Sequence, residues 1–118
     1  MNRLLPLLLS FLLLATSASA QEIAEESAKD LWCGIAFGII TAELPADNDT
    51  DQARVKQVTD GGLMLVDRAK TVHLASGFTE ESFAAHVVTL TADVSTQIHA
   101  AGNTAKYSFE ECAALIGL

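Results

Sequence analysis

The most apolar stretch after residue 20 covers residues 31–42 and contains a single polar side chain. A helix that is apolar on all sides is expected in the middle of a bundle. Glu25 and Glu26 precede this stretch, where negative charge favours a helix N-terminus, and Pro45 follows it, where a helix ends. The pattern predicts a first helix over 21–43, buried at the centre of the fold.

Small residues recur along one face of this first helix. Gly34, Gly38 and Ala42 lie four residues apart, a spacing that lets a second helix approach closely. A membrane-spanning helix needs about 20 apolar residues, and this run is shorter. We therefore expect the small residues to pack against another helix of the same domain.

The segment 51–76 repeats apolar residues at steps of three and four, as in a helix with one face on the core. Asp49 or Thr50 is placed to cap its N-terminus. Gly61 and Gly62 interrupt the pattern, and each glycine inside a helix costs about 1 kcal/mol relative to alanine. We expect a second helix here, with a kink or break at the two glycines.

Residues 80–101 predict a third helix, capped by Thr79. The valines and threonines of this segment lower its helix propensity, so a strand over 85–91 is the alternative interpretation. The apolar stripe continues for about five turns, which favours the helix. The stripe consists of Phe83, Val87, Leu90, Val94, Ile98 and Ala101.

A capping box opens a short fourth helix over 109–116, since Ser108 and Glu111 can satisfy each other's backbone N–H groups. Cys112 lies one turn into this helix, and Cys33 lies in the first. Two cysteines in an exported chain predict one disulfide. Closing a loop of about 80 residues stabilises a fold by about 4–5 kcal/mol in the chain-entropy model. The predicted fold is an all-α, small single-domain bundle of about four helices, with its first and last helices joined by Cys33–Cys112.

Residues 1–20 have the pattern of a secretory signal peptide that is cleaved on export. Arg3 comes first, residues 4–14 are apolar, and the small residues of 18–20 form the cleavage motif. Cleavage leaves 21–118 as the helical bundle domain. We expect an exported protein without a stable membrane anchor, periplasmic in a Gram-negative bacterium and otherwise secreted.

The chain is acidic, with 15 Asp and Glu against 7 Lys and Arg and a formal net charge of −8. Such a surface repels nucleic acid and anionic membranes, so neither is an expected partner. The acidity is also compatible with simple solubility. The oligomeric state stays open.

The sequence lacks the motifs of several common catalytic and metal sites. It contains no Gly-x-Ser-x-Gly nucleophile motif, and both cysteines are predicted to be oxidised. His73, His86 and His99 are not spaced as metal ligands and are expected to be solvated or at the edge of the core. We predict no catalytic residue, no metal site and no cofactor, and therefore no enzyme.

The leading hypothesis is a non-enzymatic protein that binds another protein, as an acid-stress chaperone or as an inhibitor or immunity-type partner. Small periplasmic acid-stress chaperones resemble this chain in architecture, being short, helical and exported with one disulfide, and here Trp32 adjoins the first cysteine. That resemblance implies partial unfolding at low pH, which exposes apolar surface.

The alternative hypothesis is a carrier for a small molecule or lipid. It places an apolar pocket between the helices. The residues predicted to line this pocket are Trp32, Phe37, Phe83 and Phe109.

Overall fold

A computed structural model describes residues 22–102 and 104–118, which form four α-helices. The helices are α1 (Glu25–Glu43), α2 (Asp49–Ala75), α3 (Glu80–His99) and α4 (Phe109–Leu115). No strand occurs in these ranges, and residues 85–91 are helical. The predicted all-α bundle of four helices is confirmed. The predicted signal peptide, residues 1–20, lies outside the described residues.

The first helix is the centre of the bundle, because it contacts each of the other three helices. Every residue from Asp30 to Phe37 is buried. Helix α2 runs antiparallel to α1, and α3 ends beside the end of α1, where His99 meets Glu43. The buried central position expected of the apolar run is therefore confirmed for 31–37.

Helix α1 begins at Glu25, later than the predicted residue 21, and crosses α2 at a pair of glycines. A Cβ built on Gly34 would lie 2.7 Å from Val66 Cγ2 and 2.8 Å from the carbonyl oxygen of Gly62. Gly38 and Ala42 continue the same face but are exposed, and a Cβ on Gly38 would meet nothing within 4 Å. Close packing at the small-residue stripe is thus limited to Gly34, since Gly38 and Ala42 are exposed.

The break considered for α2 at the two glycines does not occur, since the helix is continuous from Asp49 to Ala75. A Cβ on Gly62 would lie 3.0 Å from Phe37 Cβ, and one on Gly61 would lie 2.7 Å from Ile116 Cδ1. The two glycines admit α1 on one side and the C-terminal end of the chain on the other. Packing of the neighbouring segments therefore supports a continuous helix through a sequence that is locally weak.

Hydrogen bonds from side chains define the helix starts. Asn48 caps α2 by accepting a bond from the Asp51 N–H at 2.8 Å, so the prediction of Asp49 or Thr50 as the cap is wrong by one or two residues. Thr79 caps α3 as predicted, in a reciprocal capping box with Ser82. The capping box predicted to open α4 is also present.

Helix α4 is attached to α1 by the Cys33–Cys112 disulfide, whose Cα atoms are 5.3 Å apart. Both cysteines are buried. Asp30 and Arg68 add a two-pronged ion pair between α1 and α2, with nitrogen–oxygen distances of 2.8 and 2.9 Å. None of the helices in the described ranges has both the length and the apolar character needed to span a membrane.

Candidate functional site

An open pocket lies where α1, the C-terminal end of α3 and the segment before α4 meet. Its volume is about 390 Å³, and four of the side chains that line it are aromatic. We call it the aromatic pocket. Its lining consists of Trp32, Ala36, Phe37, Ile40, Ile98, Ala105, Tyr107, Ser108, Phe109, Glu110 and Cys112.

The floor of the aromatic pocket is one face of α1. Trp32, Ala36 and Ile40 are four residues apart, so they lie above one another along the helix. Ala36 between two large side chains leaves a concave surface. The periodicity of the buried helix therefore sets the shape of the floor.

The wall opposite α1 is built by the start of α4. Ser108 accepts a hydrogen bond from the Glu111 N–H at 3.0 Å, which fixes the first turn of α4 and with it the direction of Phe109. The Phe109 ring meets the Phe37 ring edge to face at 6.0 Å. Phe109 is 54% exposed, so it stands at the mouth of the pocket.

Tyr107 closes one side of the pocket and is held by four neighbours. Its ring lies edge to face with Trp32 at 5.4 Å, and its hydroxyl donates to the Glu25 carboxylate. The ammonium groups of Lys29 and Lys106 lie 5.4 and 5.7 Å from the ring centroid. Burial and the bond to Glu25 raise the Tyr107 pKa to about 12, so the hydroxyl is neutral at physiological pH.

The segment that carries Tyr107 is anchored to the end of α3 through Gln97. The Gln97 backbone carbonyl accepts a bond from the Thr104 hydroxyl at 3.0 Å, and its side-chain oxygen accepts one from the Lys106 N–H at 2.9 Å. A non-helical segment thus becomes a defined wall of the pocket.

Trp32 is almost entirely buried, and its indole N–H is the one buried side-chain polar atom in the described ranges that lacks a hydrogen-bond partner. Leaving a buried donor unsatisfied costs about 1–3 kcal/mol. Trp32 therefore places an unsatisfied donor in the core beside the aromatic pocket.

Three of the four residues predicted to line an apolar pocket come together here: Trp32, Phe37 and Phe109. Phe83 does not. It is buried in the first turn of α3, where its ring packs 5.1 Å from that of His73. Phe83 precedes Ile98 by four helical turns, about 22 Å along α3, so it cannot reach the pocket at the other end.

The lining also contains Tyr107, Ile40, Ile98 and Ala105, which the sequence pattern does not predict as pocket residues. Tyr107 and Ala105 lie in a segment without periodicity, and the only local signal was that Tyr107 immediately precedes the capping box. Ile40 and Ile98 were recognised as apolar helix residues, but which neighbours they face depends on how α3 crosses α1.

A second pocket, of about 550 Å³, lies between α1, α2 and α4. We call it the charged pocket. Its lining consists of Glu26, Ser27, Lys29, Asp30, Arg68, Val72 and Leu115. Asp30 and Arg68 bind each other here, which raises the Arg68 pKa, and Lys29 lies 3.6 Å from Glu111. Its main charges are thus already partnered within the protein.

The three histidines have different environments. His73 is fully buried, and its Nδ1–H donates to the Ala69 carbonyl at 2.7 Å, so the expectation of a solvated or core-edge residue is wrong for His73. Burial, together with the nearby His73, lowers the pKa of His86. His99 is exposed, and its hydrogen bond to Glu43 raises its pKa. Within the described ranges, no three His, Cys, Asp or Glu residues are grouped as metal ligands.

Comparison with protein-family models, curated proteins and solved structures finds no match to this chain. No activity or ligand can therefore be transferred to it from a relative. Its function is inferred from the aromatic pocket.

Proposed function

We propose that the protein is an exported, non-enzymatic carrier that binds a small, largely apolar molecule in the aromatic pocket. The observation that carries this proposal is a concave site of about 390 Å³ lined by four aromatic rings. Ligand pockets typically enclose about 300–1,000 Å³ and are lined by hydrophobic and aromatic side chains with few polar groups. The aromatic pocket has this size and this composition.

The polar groups of the pocket favour binding over chemistry. The Ser108 hydroxyl oxygen accepts the capping bond of α4, and Cys112 is in the disulfide. A nucleophile needs an adjacent base and an orienting group. No side chain in the lining supplies that arrangement, so the proposal involves no covalent step.

The walls of the pocket are held in place before any ligand arrives. The disulfide ties α4 to α1, and Gln97 holds the segment between α3 and α4. A preformed site loses little conformational entropy on binding, which favours affinity. The exposed ring of Phe109 leaves an entrance through which a small molecule can pass.

Trp32 allows a direct test, because it is the only tryptophan in the chain and lines the pocket. Titration with the neutral apolar probe N-phenyl-1-naphthylamine should change the Trp32 fluorescence saturably, with one site per chain. Native mass spectrometry of protein purified from its own host should show a retained small molecule.

Two variants make the test specific. Ala105→Leu fills the pocket and should weaken probe binding roughly tenfold or more, because overpacking costs about 1–3 kcal/mol. Phe78→Leu removes an aromatic ring that packs against His73 outside the pocket and should leave binding unchanged. Equal binding by both variants, or no saturable response in the parent protein, would contradict the proposal.

Binding of another protein, the leading hypothesis from the sequence, is the second candidate. It is supported by exposed apolar side chains on α2 and α3: Leu63 is 65% exposed, Met64 44% and Val88 71%. Crosslinking in the exported compartment should trap a reproducible partner. For the acid-stress version, circular dichroism and dye binding between pH 7 and pH 2 should show loosening, whereas a bundle that stays packed would argue against it.

A further inference from the structure

The aromatic side chains of the described residues are unevenly distributed. Of the six in residues 22–102 and 104–118, four line the aromatic pocket. Trp32 and Tyr107 form one edge-to-face pair, and Phe37 and Phe109 form another. Trp32 and Phe37 are buried, whereas Phe109 is exposed and Tyr107 partly exposed, so these two rings offer a ligand the π surface that attracts cations.

The residues that line the pocket include one charged side chain, and its charge is negative. Glu110 is the only carboxylate or basic side chain in the lining, it is exposed, and none of the ion pairs in the described ranges involves it. Lys29 and Lys106 contact the Tyr107 ring, but they line neighbouring depressions and not this pocket. Lys29 is also paired with Glu111 at 3.6 Å.

The chain as a whole carries a formal net charge of −8, which raises the local concentration of cations and lowers that of anions. A fatty acid would bring its carboxylate to Glu110, and like charges repel. An alkylammonium would meet both the carboxylate and the ring faces. Charge and ring geometry therefore favour the same kind of ligand.

We propose that the ligand of the aromatic pocket is an organic cation: an alkylammonium or quaternary ammonium group held against the aromatic rings, with Glu110 as its counter-charge. This proposal rests on the proposed carrier function and specifies its ligand class. The shared chemistry covers a free amphiphilic amine and the choline headgroup of a lipid.

The test compares three probes with the same decyl chain and different heads: decyltrimethylammonium, decanol and decanoate, each below its micelle concentration. Trp32 fluorescence and calorimetry report the affinities. Because a cation over an aromatic ring gains more where it is desolvated, we expect decyltrimethylammonium to bind roughly tenfold more tightly than decanoate, with decanol between them.

Two variants separate the ring contribution from that of the carboxylate. Phe109→Leu keeps apolar bulk and removes one ring, and Glu110→Gln removes the charge. Each should weaken decyltrimethylammonium binding several-fold more than it weakens decanol binding. Glu81→Gln, in the first turn of α3 at the other end of that helix, is the matched control and should change neither.

The outcomes distinguish this inference from the carrier function. If decanol binds while decyltrimethylammonium binds no more tightly than decanoate, the organic-cation proposal is overturned and the carrier function stands. If none of the three binds, both are overturned. A cation preference that survives Glu110→Gln and Phe109→Leu unchanged would also overturn the assignment to this pocket.

A final experiment, co-sedimentation with lipid vesicles, identifies the source of the cation. Co-sedimentation with phosphatidylcholine vesicles that is lost in Glu110→Gln would support the proposal with a lipid headgroup as the ligand. Binding of soluble decyltrimethylammonium without co-sedimentation would support it with a free amine as the ligand.

Discussion

The two halves of α1 have the same apolar character and different surroundings. From Asp30 to Phe37 the helix is buried on every side, by α2 at Gly34 and by α4 at Cys33. From Gly38 onward no residue of α1 is buried, and Ile40 lines the aromatic pocket together with Trp32, Ala36 and Phe37 of the buried part. One continuous apolar run is thus fully enclosed along its first part and only partly covered in its last turns.

The two parts differ most clearly at two glycines of α1. At Gly34 the α1 and α2 backbones come close enough that an added methyl group would collide with the Gly62 carbonyl. Gly38 lies one turn further along α1, and a Cβ built there would meet nothing within 4 Å. The enclosed part of α1 therefore has no room for a side chain at its glycine, whereas the partly covered part has.

Of the changes proposed here, removal of the disulfide should lower the stability of the fold most. A Cys33→Ala and Cys112→Ala double variant should lower the free energy of unfolding by about 2–5 kcal/mol, because the unfolded chain is no longer cross-linked. Chemical denaturation followed by circular dichroism measures the loss. Wild-type protein under reducing conditions is the control, and its stability should approach that of the variant. Equal stability of the oxidised wild type, the reduced wild type and the variant would contradict the stabilising role of this bond.

A methyl group added to α1 should lower the stability of the fold in the first half of the helix and raise it in the second. Gly34→Ala should destabilise the fold by about 1–3 kcal/mol through overpacking at the helix crossing. Gly38→Ala should stabilise it by up to about 1 kcal/mol, because alanine favours the helix and meets open space. Thermal unfolding of the two variants measures both. A stability change in the same direction for both variants would show that the two halves are equally enclosed.

Asp30→Asn should remove the charge that holds Arg68 in the covered half. Asp30 is 7% exposed, and it loses a charge-assisted pair of hydrogen bonds; since the Arg68 side chain is 49% exposed, we expect a modest cost of about 1–2 kcal/mol. Denaturant midpoints measure it. Binding of an apolar probe in the aromatic pocket should be unchanged, and a parallel loss of binding would mean that the two regions are coupled.

The smallest effect is expected at the exposed end of α1, where Glu43 binds His99. The hydrogen bond raises the His99 pKa above its ordinary value of 6.5. Protonated His99 therefore stabilises the fold at pH values below 6.5. This stabilisation is lost as the pH rises through the folded-state pKa. An NMR titration should find this raised pKa in the parent protein and a lower pKa in Glu43→Gln, which keeps the bond from His99 to the Ser95 carbonyl. An unchanged pKa in the variant would show that Glu43 is not its cause.

Local signals in the sequence were sufficient for much of the fold. The apolar stripes located four helices, Thr79 and Ser108 located two helix starts, and two cysteines in one chain left a single pairing, Cys33 with Cys112. The helices and their caps depend on residues close in sequence, and the disulfide follows because the chain has only two cysteines. The continuity of α2 was missed, because the cost of Gly61 and Gly62 is local while the packing that offsets it is not.

The candidate site was only partly predictable. Trp32, Phe37 and Phe109 could be selected as large apolar residues of the predicted helices, but the same reasoning selected Phe83, which belongs to the opposite end of α3. Tyr107 carries no periodic signal. Its position depends on Gln97 and Glu25, which are remote from it in sequence.

The sequence by itself determined which segments are helical, which faces are apolar and which helices are joined, since periodicity, capping and cysteine number act locally or by counting. Only the tertiary structure decided which half of α1 is enclosed and where a pocket remains. Those features depend on contacts between residues far apart in sequence, such as Gly34 with Gly62 and Phe37 with Phe109, which no local pattern specifies.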